Sequence, residues 1–148
     1  MKCFLFLVFC CIPFSFFAKN VDVITAEKIA KFVLTGVDTQ TRSNEIDVSL
    51  IWTGEDVCTR MNNSPAYYVF NKVGGNGFVI VSGDDIIKPI LAYSYVNSFH
   101  VENMPDNLRA WMAYYREQIN WAREENIVSD EETIWAWERL RDEIDSAK

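Results

Sequence analysis

Three short runs of aromatic and β-branched residues occupy the middle of the chain, at residues 67–71, 77–85 and 89–94. Runs of this composition, when separated by turn residues, are typical of consecutive β-strands. Residues 72–76, which include two glycines, join the first two runs, and Gly83, Asp84 and Asp85 join the next two. Glycine, Asn and Asp tolerate the positive φ angles of tight hairpins. The pattern therefore predicts a three-stranded antiparallel meander.

A fourth strand is predicted before the meander. Apolar residues occupy every second position from residue 46 to residue 52: Ile46, Val48, Leu50 and Trp52. A period of two is typical of a strand that buries one face. Residues 54–65, which follow this strand, are predicted to form a loop.

Three helices are predicted from apolar residues that recur at helical spacing. The first follows Thr25 as its N-cap and ends at Gly36, the second reaches about Asn126, and the third begins at Ser129 with the spacing of a capping box. Their apolar faces comprise Ala26, Ile29, Ala30 and Val33; Leu108, Trp111, Met112, Tyr115, Ile119 and Ala122; and Ile134, Trp137, Leu140 and Ile144. The order of elements predicts an α+β domain of two layers, in which a four-stranded antiparallel sheet packs against helices.

Residues 1–18 are predicted to form an export signal. Lys2 provides a basic start, residues 3–17 are almost entirely apolar, and Ala18 marks the approximate cleavage site. This run is short for a membrane span, which needs ~20 apolar residues, so we expect no membrane anchor after cleavage. Residues 19–148 are sufficient for one domain with its own core, located in the periplasm or outside the cell.

The chain is acidic, with 14 Lys and Arg residues against 21 Asp and Glu residues and a net charge of -7. Removal of residues 1–18 takes away one lysine and no acid, so the mature chain carries one more net negative charge. Because an acidic surface repels phosphate groups, the charge argues against nucleic acid and anionic membranes as partners.

Cys58 and His100 are the only cysteine and histidine of the mature chain, which raises the possibility of a cysteine-peptidase dyad. A catalytic cysteine usually lies at a helix N-terminus, where its pKa is lowered, whereas residues 56–60 are a polar stretch with no predicted helix after it. We therefore predict a loop thiol, a surface histidine and no enzymatic activity. A single thiol also excludes an internal disulfide.

Two further patterns resemble ligand-binding motifs, but each lacks a feature that ligand binding would require. The glycines of residues 74–77 precede a strand, whereas a phosphate-binding loop precedes a helix whose amides face the anion. The adjacent carboxylates of Asp84 and Asp85 lack the additional oxygen ligands that calcium requires. We predict a hairpin at the first and a solvated turn at the second, with no metal and no cofactor.

The stretch of residues 66–94 resembles the propeptides of streptopain-type secreted cysteine peptidases and the free-standing streptopain inhibitors that share their fold. The similarity extends over residues 20–121 and is most specific at residues 77–84, Gly-Phe-Val-Ile-Val-Ser-Gly-Asp. It implies a streptopain-propeptide-like fold.

In that family the propeptide covers the active site of a papain-like protease, and the segment before the long helix approaches the catalytic histidine. By similarity this segment is residues 98–107, and the protease-contacting residues that it implies are Phe99, His100, Glu102, Asn103, Met104, Pro105, Asp106 and Asn107. The family's asparagine before the helix best matches Asn107, with Asn103 or Asp106 as alternatives.

The chain ends at Lys148, whereas a proprotease would continue into its catalytic domain. The resemblance therefore implies an exported, monomeric inhibitor that blocks the cleft of a streptopain-like cysteine peptidase non-covalently. Two alternatives remain. One is a folding chaperone or remnant propeptide of such a protease. The other is an exported protein-binding module, with Trp135 or Trp137 as its exposed anchor, because these residues point to opposite sides of the last helix.

Overall fold

A four-stranded antiparallel sheet forms the centre of the protein. The computed structural model describes residues 20–36, 46–54 and 64–147, so the predicted signal at residues 1–18 lies outside the described residues. The elements follow in the order α1 (Val23–Thr35), β1 (Val48–Thr53), β2 (Tyr67–Lys72), β3 (Phe78–Ser82), β4 (Ile90–Ser94), α2 (Asp106–Glu124) and α3 (Glu131–Ser146). The strands are adjacent in chain order, each antiparallel to the next. The predicted α+β class, strand number and meander are confirmed.

Helices cover both faces of this sheet, so the prediction of two layers was wrong and the domain has three. Helices α1 and α3 pack on the face that presents Tyr68, Phe70, Val79 and Val81. Helix α2 packs on the opposite face, which presents Tyr67, Val69 and Ile80. Successive side chains of a strand point to opposite faces, so both cores draw on β2 and β3. The continuous apolar runs of these two strands are the consequence of burial on both sides.

Strand β1 departs from the predicted alternation because it contains a bulge. Leu50 is paired with Phe70 and Trp52 with Val69, which leaves Ile51 as the extra residue. An extra residue reverses the side to which the following side chains point. Leu50, which precedes the bulge, is 42% exposed. Ile51 and Trp52 pack against the core on the α2 side, and the predicted single buried face does not hold beyond the bulge.

The predicted N-caps of the first and third helices were wrong. Asp22 caps α1 and accepts hydrogen bonds from the backbone N–H and the hydroxyl of Thr25, both at 2.9 Å. Asp130 caps α3 and accepts from the backbone N–H of Thr133 at 2.7 Å, while the hydroxyl of Ser129 donates to the carbonyl of Asp85. Asp, Ser and Thr share the ability to cap, so sequence spacing alone did not separate them. These hydrogen bonds lower the pKa of each capping aspartate.

The predicted helical stripes are largely confirmed. Met112, Ile119 and Ala122 of α2 are buried, as are Trp137 and Leu140 of α3. On α1 the buried residues are Ala26, Ile29, Ala30 and Leu34, so Leu34 takes the place that was predicted for Val33.

The connection between β3 and β4 is neither a tight hairpin nor a solvated turn, which corrects both predictions for Gly83 and Asp84. Asp84 is 1% exposed, and its Oδ2 lies 2.7 Å from Nε of Arg123 on α2. Gly83 does not have a positive φ. A Cβ at Gly83 would instead overlap the carbonyl oxygen of Pro65, so this glycine permits the close approach of two backbone segments. The hairpin between β2 and β3 does use positive φ, at Gly74 (71°) and Gly77 (135°), as predicted.

Candidate protease-binding loop

The segment predicted to contact a protease connects β4 to α2 and is fixed at two buried side chains. Phe99 and Met104 are each 5% exposed. The residues between them, 100–103, are all exposed. We call residues 99–104 the anchored loop, because its two ends are held in the core while its middle projects into solvent.

Asn71, near the end of β2, holds the first end of the anchored loop. Its side-chain Nδ2 donates to the carbonyl oxygen of Phe99 at 2.9 Å, and the backbone N–H of Phe99 donates to its Oδ1 at 2.9 Å. The side-chain amide thus makes the pair of hydrogen bonds that the backbone of a neighbouring strand would make. Sequence reasoning missed this role. The available signal was an amide side chain directly after four aromatic and apolar residues of the strand.

Aromatic contacts fix the side chain of Phe99. Its ring is stacked on Trp52 with a centroid distance of 6.2 Å and meets Phe78 edge to face at 5.4 Å. Trp52 in turn makes an edge contact with Tyr67 at 5.7 Å. Aromatic contacts of this kind add stability beyond that gained by burying apolar surface. They attach this end of the loop to strands of the sheet.

The second end of the anchored loop leads directly into α2. Met104 packs in the core on the α2 side, and its carbonyl oxygen accepts a hydrogen bond from Nη2 of Arg109 at 3.3 Å. Pro105 occupies the N-cap position without a side-chain hydrogen bond. Asp106 and Asn107 were expected in the loop but form the first turn of α2. There the carboxylate of Asp106 lies at the positive end of the helix dipole.

The predicted contact residues therefore divide into two groups. Phe99 and Met104 are turned into the core, and their side chains anchor the loop. Six are exposed and available for contact with a partner: His100, Glu102, Asn103, Pro105, Asp106 and Asn107. The assignment of these residues to a protease contact stays a prediction.

The described residues do not form a catalytic dyad or a metal site. Cys58 lies outside the described residues, so its distance from the exposed His100 is not defined. Among the residues that the structure describes, no group of three or more His, Cys, Asp or Glu side chains is placed to hold a metal ion. None of the described helices is long and apolar enough to cross a membrane.

A family model described as Spi protease inhibitor matches residues 18–119, about two thirds of the chain. The chain belongs to the Spi protease inhibitor family. The match includes all four strands and the anchored loop, ends within α2 and does not include α3. The resemblance to streptopain propeptides and inhibitors is thereby confirmed, and membership of the Spi family indicates a protease inhibitor whose partner is a protease.

One curated protein is similar to part of the chain. The thiol protease/hemagglutinin PrtT of Porphyromonas gingivalis is 34% identical to this Spi-family chain over 53 residues. The similar stretch makes up 36% of the present chain but only 6% of PrtT, so the chain corresponds to a small part of that protein. No solved structure matches the chain significantly.

Proposed function

We propose that this Spi-family protein is an exported inhibitor of a streptopain-like cysteine peptidase, and that it blocks the active-site cleft without forming a covalent bond. The family supports the inhibitory function, and the similarity to a thiol protease supports the class of target. The observation that carries the proposal is the anchored loop, an exposed stretch of residues 100–103 between two buried side chains.

The geometry of the anchored loop favours tight binding because little further ordering is needed. Fixing the backbone of a flexible residue costs roughly 1–2 kcal/mol at 25 °C. The two ends of the loop are already fixed by Asn71 and by the burial of Phe99 and Met104. A partner would therefore bind a loop that has lost part of its entropy on folding, which raises affinity.

The exposed groups suit the active site of a cysteine peptidase. Such a site pairs a thiolate with a protonated imidazole and has hydrogen-bond donors for an oxyanion. Carboxylates such as Glu102 and Asp106 would face the positive imidazolium, and the amides of Asn103 and Asn107 would hydrogen-bond to polar groups of the cleft. Hydrogen bonds and steric blocking of the cleft are sufficient for inhibition.

The direct test is titration of the purified protein against an active streptopain-type protease from the same organism, with papain as the specificity control. We expect stoichiometric loss of activity for the first enzyme only. The triple variant Asn103→Ala, Asp106→Ala, Asn107→Ala should weaken inhibition and remain folded, because all three side chains are exposed. The control is a triple alanine variant of Gln118, Glu124 and Glu125. These three exposed residues lie in the C-terminal half of α2 and at its end.

Failure to inhibit a correctly matched enzyme would contradict the proposed function. Equal inhibition by the wild type and the loop variant would instead contradict the assignment of the loop. If inhibition is absent, refolding of the denatured protease with and without the protein identifies a chaperone by a higher recovered activity. N-terminal sequencing of the exported protein tests the signal, and we expect cleavage close to Ala18.

A further inference from the structure

Helix α3 lies beyond the residues that the Spi family model matches, and its outer face carries a large exposed aromatic side chain. Trp135 is 75% exposed, whereas Trp137, two residues later, is 2% exposed and donates from Nε1 to the carbonyl of Ile87 at 2.8 Å. Trp137 therefore accounts for the packing of α3 on the domain. Packing does not account for Trp135.

Trp135 borders an open groove of about 690 Å³ along the outer face of α3, which we call the α3 groove. Two ion pairs line this groove. Nζ of Lys88 lies 2.6 Å from Oε1 of Glu132, and Nε of Arg139 lies 2.8 Å from Oε1 of Glu143. Each pair is internally neutral, so these four side chains add little net charge to the groove.

Two further carboxylates give the α3 groove its charge. Glu138 and Asp142 also line it, three and seven positions after Trp135, which places all three side chains on one side of the helix. Within the described part of the chain, neither carboxylate forms an ion pair. The α3 groove therefore combines an exposed indole with an excess of negative charge.

We propose that the α3 groove binds a basic segment of a partner protein, with an arginine side chain lying over the indole of Trp135 and its guanidinium group between Glu138 and Asp142. Tryptophan is the preferred aromatic residue for cation–π contact. Arginine suits this position better than lysine, because its planar group stacks on an indole and donates to two carboxylates at once. Phosphate-bearing ligands are disfavoured by the same negative charge.

The α3 groove is separate from the anchored loop. Helix α3 packs on one face of the sheet and the loop on the other, as the two cores show. The proposed site adds a second binding surface and does not depend on the inhibitory function.

The test uses a hexa-arginine peptide as the probe and the purified ¹⁵N-labelled protein. The indole N–H signal of Trp135, assigned by its loss in Trp135→Phe, should shift on titration, and the affinity should fall as salt is raised. Trp135→Ala, and separately the pair Glu138→Gln with Asp142→Asn, should each weaken binding about tenfold. The matched controls are Trp121→Ala, another exposed tryptophan, and Glu124→Gln with Glu125→Gln, which removes the same charge elsewhere.

Two results of the titration would overturn the proposal. One is an equal loss of affinity in the charge-matched control pair, which would mean that the peptide responds only to net charge. The other is an unchanged Trp135 signal at saturating peptide. Sedimentation of the protein alone provides a further check, since a dimer that Trp135→Ala dissociates would assign the groove to a second copy of the chain.

Discussion

Replacement of Asn71 by alanine tests whether the anchored loop is pre-organised for binding. The variant removes both hydrogen bonds between the Asn71 side chain and the backbone of Phe99, each 2.9 Å long. A typical hydrogen bond contributes about 1 kcal/mol net, so the pair is worth about 2 kcal/mol to the fixed loop. If all of this energy is lost from the inhibitory complex, the inhibition constant should rise about 30-fold.

Three measurements separate the loop from the rest of the fold. Inhibition of the matched peptidase reports on binding, urea unfolding reports on global stability, and hydrogen exchange at the Phe99 amide reports on the attachment of the loop. The control is Asn97→Ala, an exposed asparagine of the same connection, which hydrogen-bonds to the hydroxyl of Ser94 through its backbone N–H. Asn71→Asp should be more harmful than alanine, because a carboxylate oxygen would then face the carbonyl of Phe99.

Faster exchange at the Phe99 amide together with an unchanged inhibition constant would refute this reasoning. The loop would then be loosened without any effect on binding, so its pre-organisation would not contribute to inhibition. Unchanged exchange would refute the assigned role of Asn71 itself.

Three further predictions concern stability. Arg123→Ala should lower the free energy of unfolding by about 3 kcal/mol, because it leaves the carboxylate of Asp84 buried without its partner; a loss under 1 kcal/mol by urea unfolding would contradict this. Gly83→Ala should prevent folding or lower the melting temperature sharply, whereas Gly75→Ala, where a Cβ meets only the flexible side chain of Lys72, should be tolerated. Burial raises the pKa of Tyr67 to about 12. The unfolded chain loses this proton near pH 10, so stability should fall between pH 10 and pH 12. Alkaline unfolding that is identical in Tyr67→Phe would contradict the assignment.

The sequence predicted local features well, because they depend on residues close together in the chain. The three apolar runs within residues 67–94 and the turn residues between them predicted three strands and their antiparallel order, and the helical stripe of α2 predicted which of its residues are buried. The helix caps were wrong by a few residues, since Asp22 and Thr25 are both capping residues and only the backbone geometry distinguishes them. The resemblance over residues 20–121, which is most specific at residues 77–84, was sufficient to identify the family.

Features that depend on contacts between residues far apart in the chain could be seen only in the tertiary structure. The strands, the helices and the family could be predicted from the sequence, since each follows from periodicity or from contiguous motifs. The covering of both sheet faces, the burial of Asp84 against Arg123 and the attachment of Phe99 to Asn71 join residues that are 28 or more positions apart. No local pattern specifies such pairs. They arise because a buried charge or backbone amide must find a partner wherever the fold brings one near.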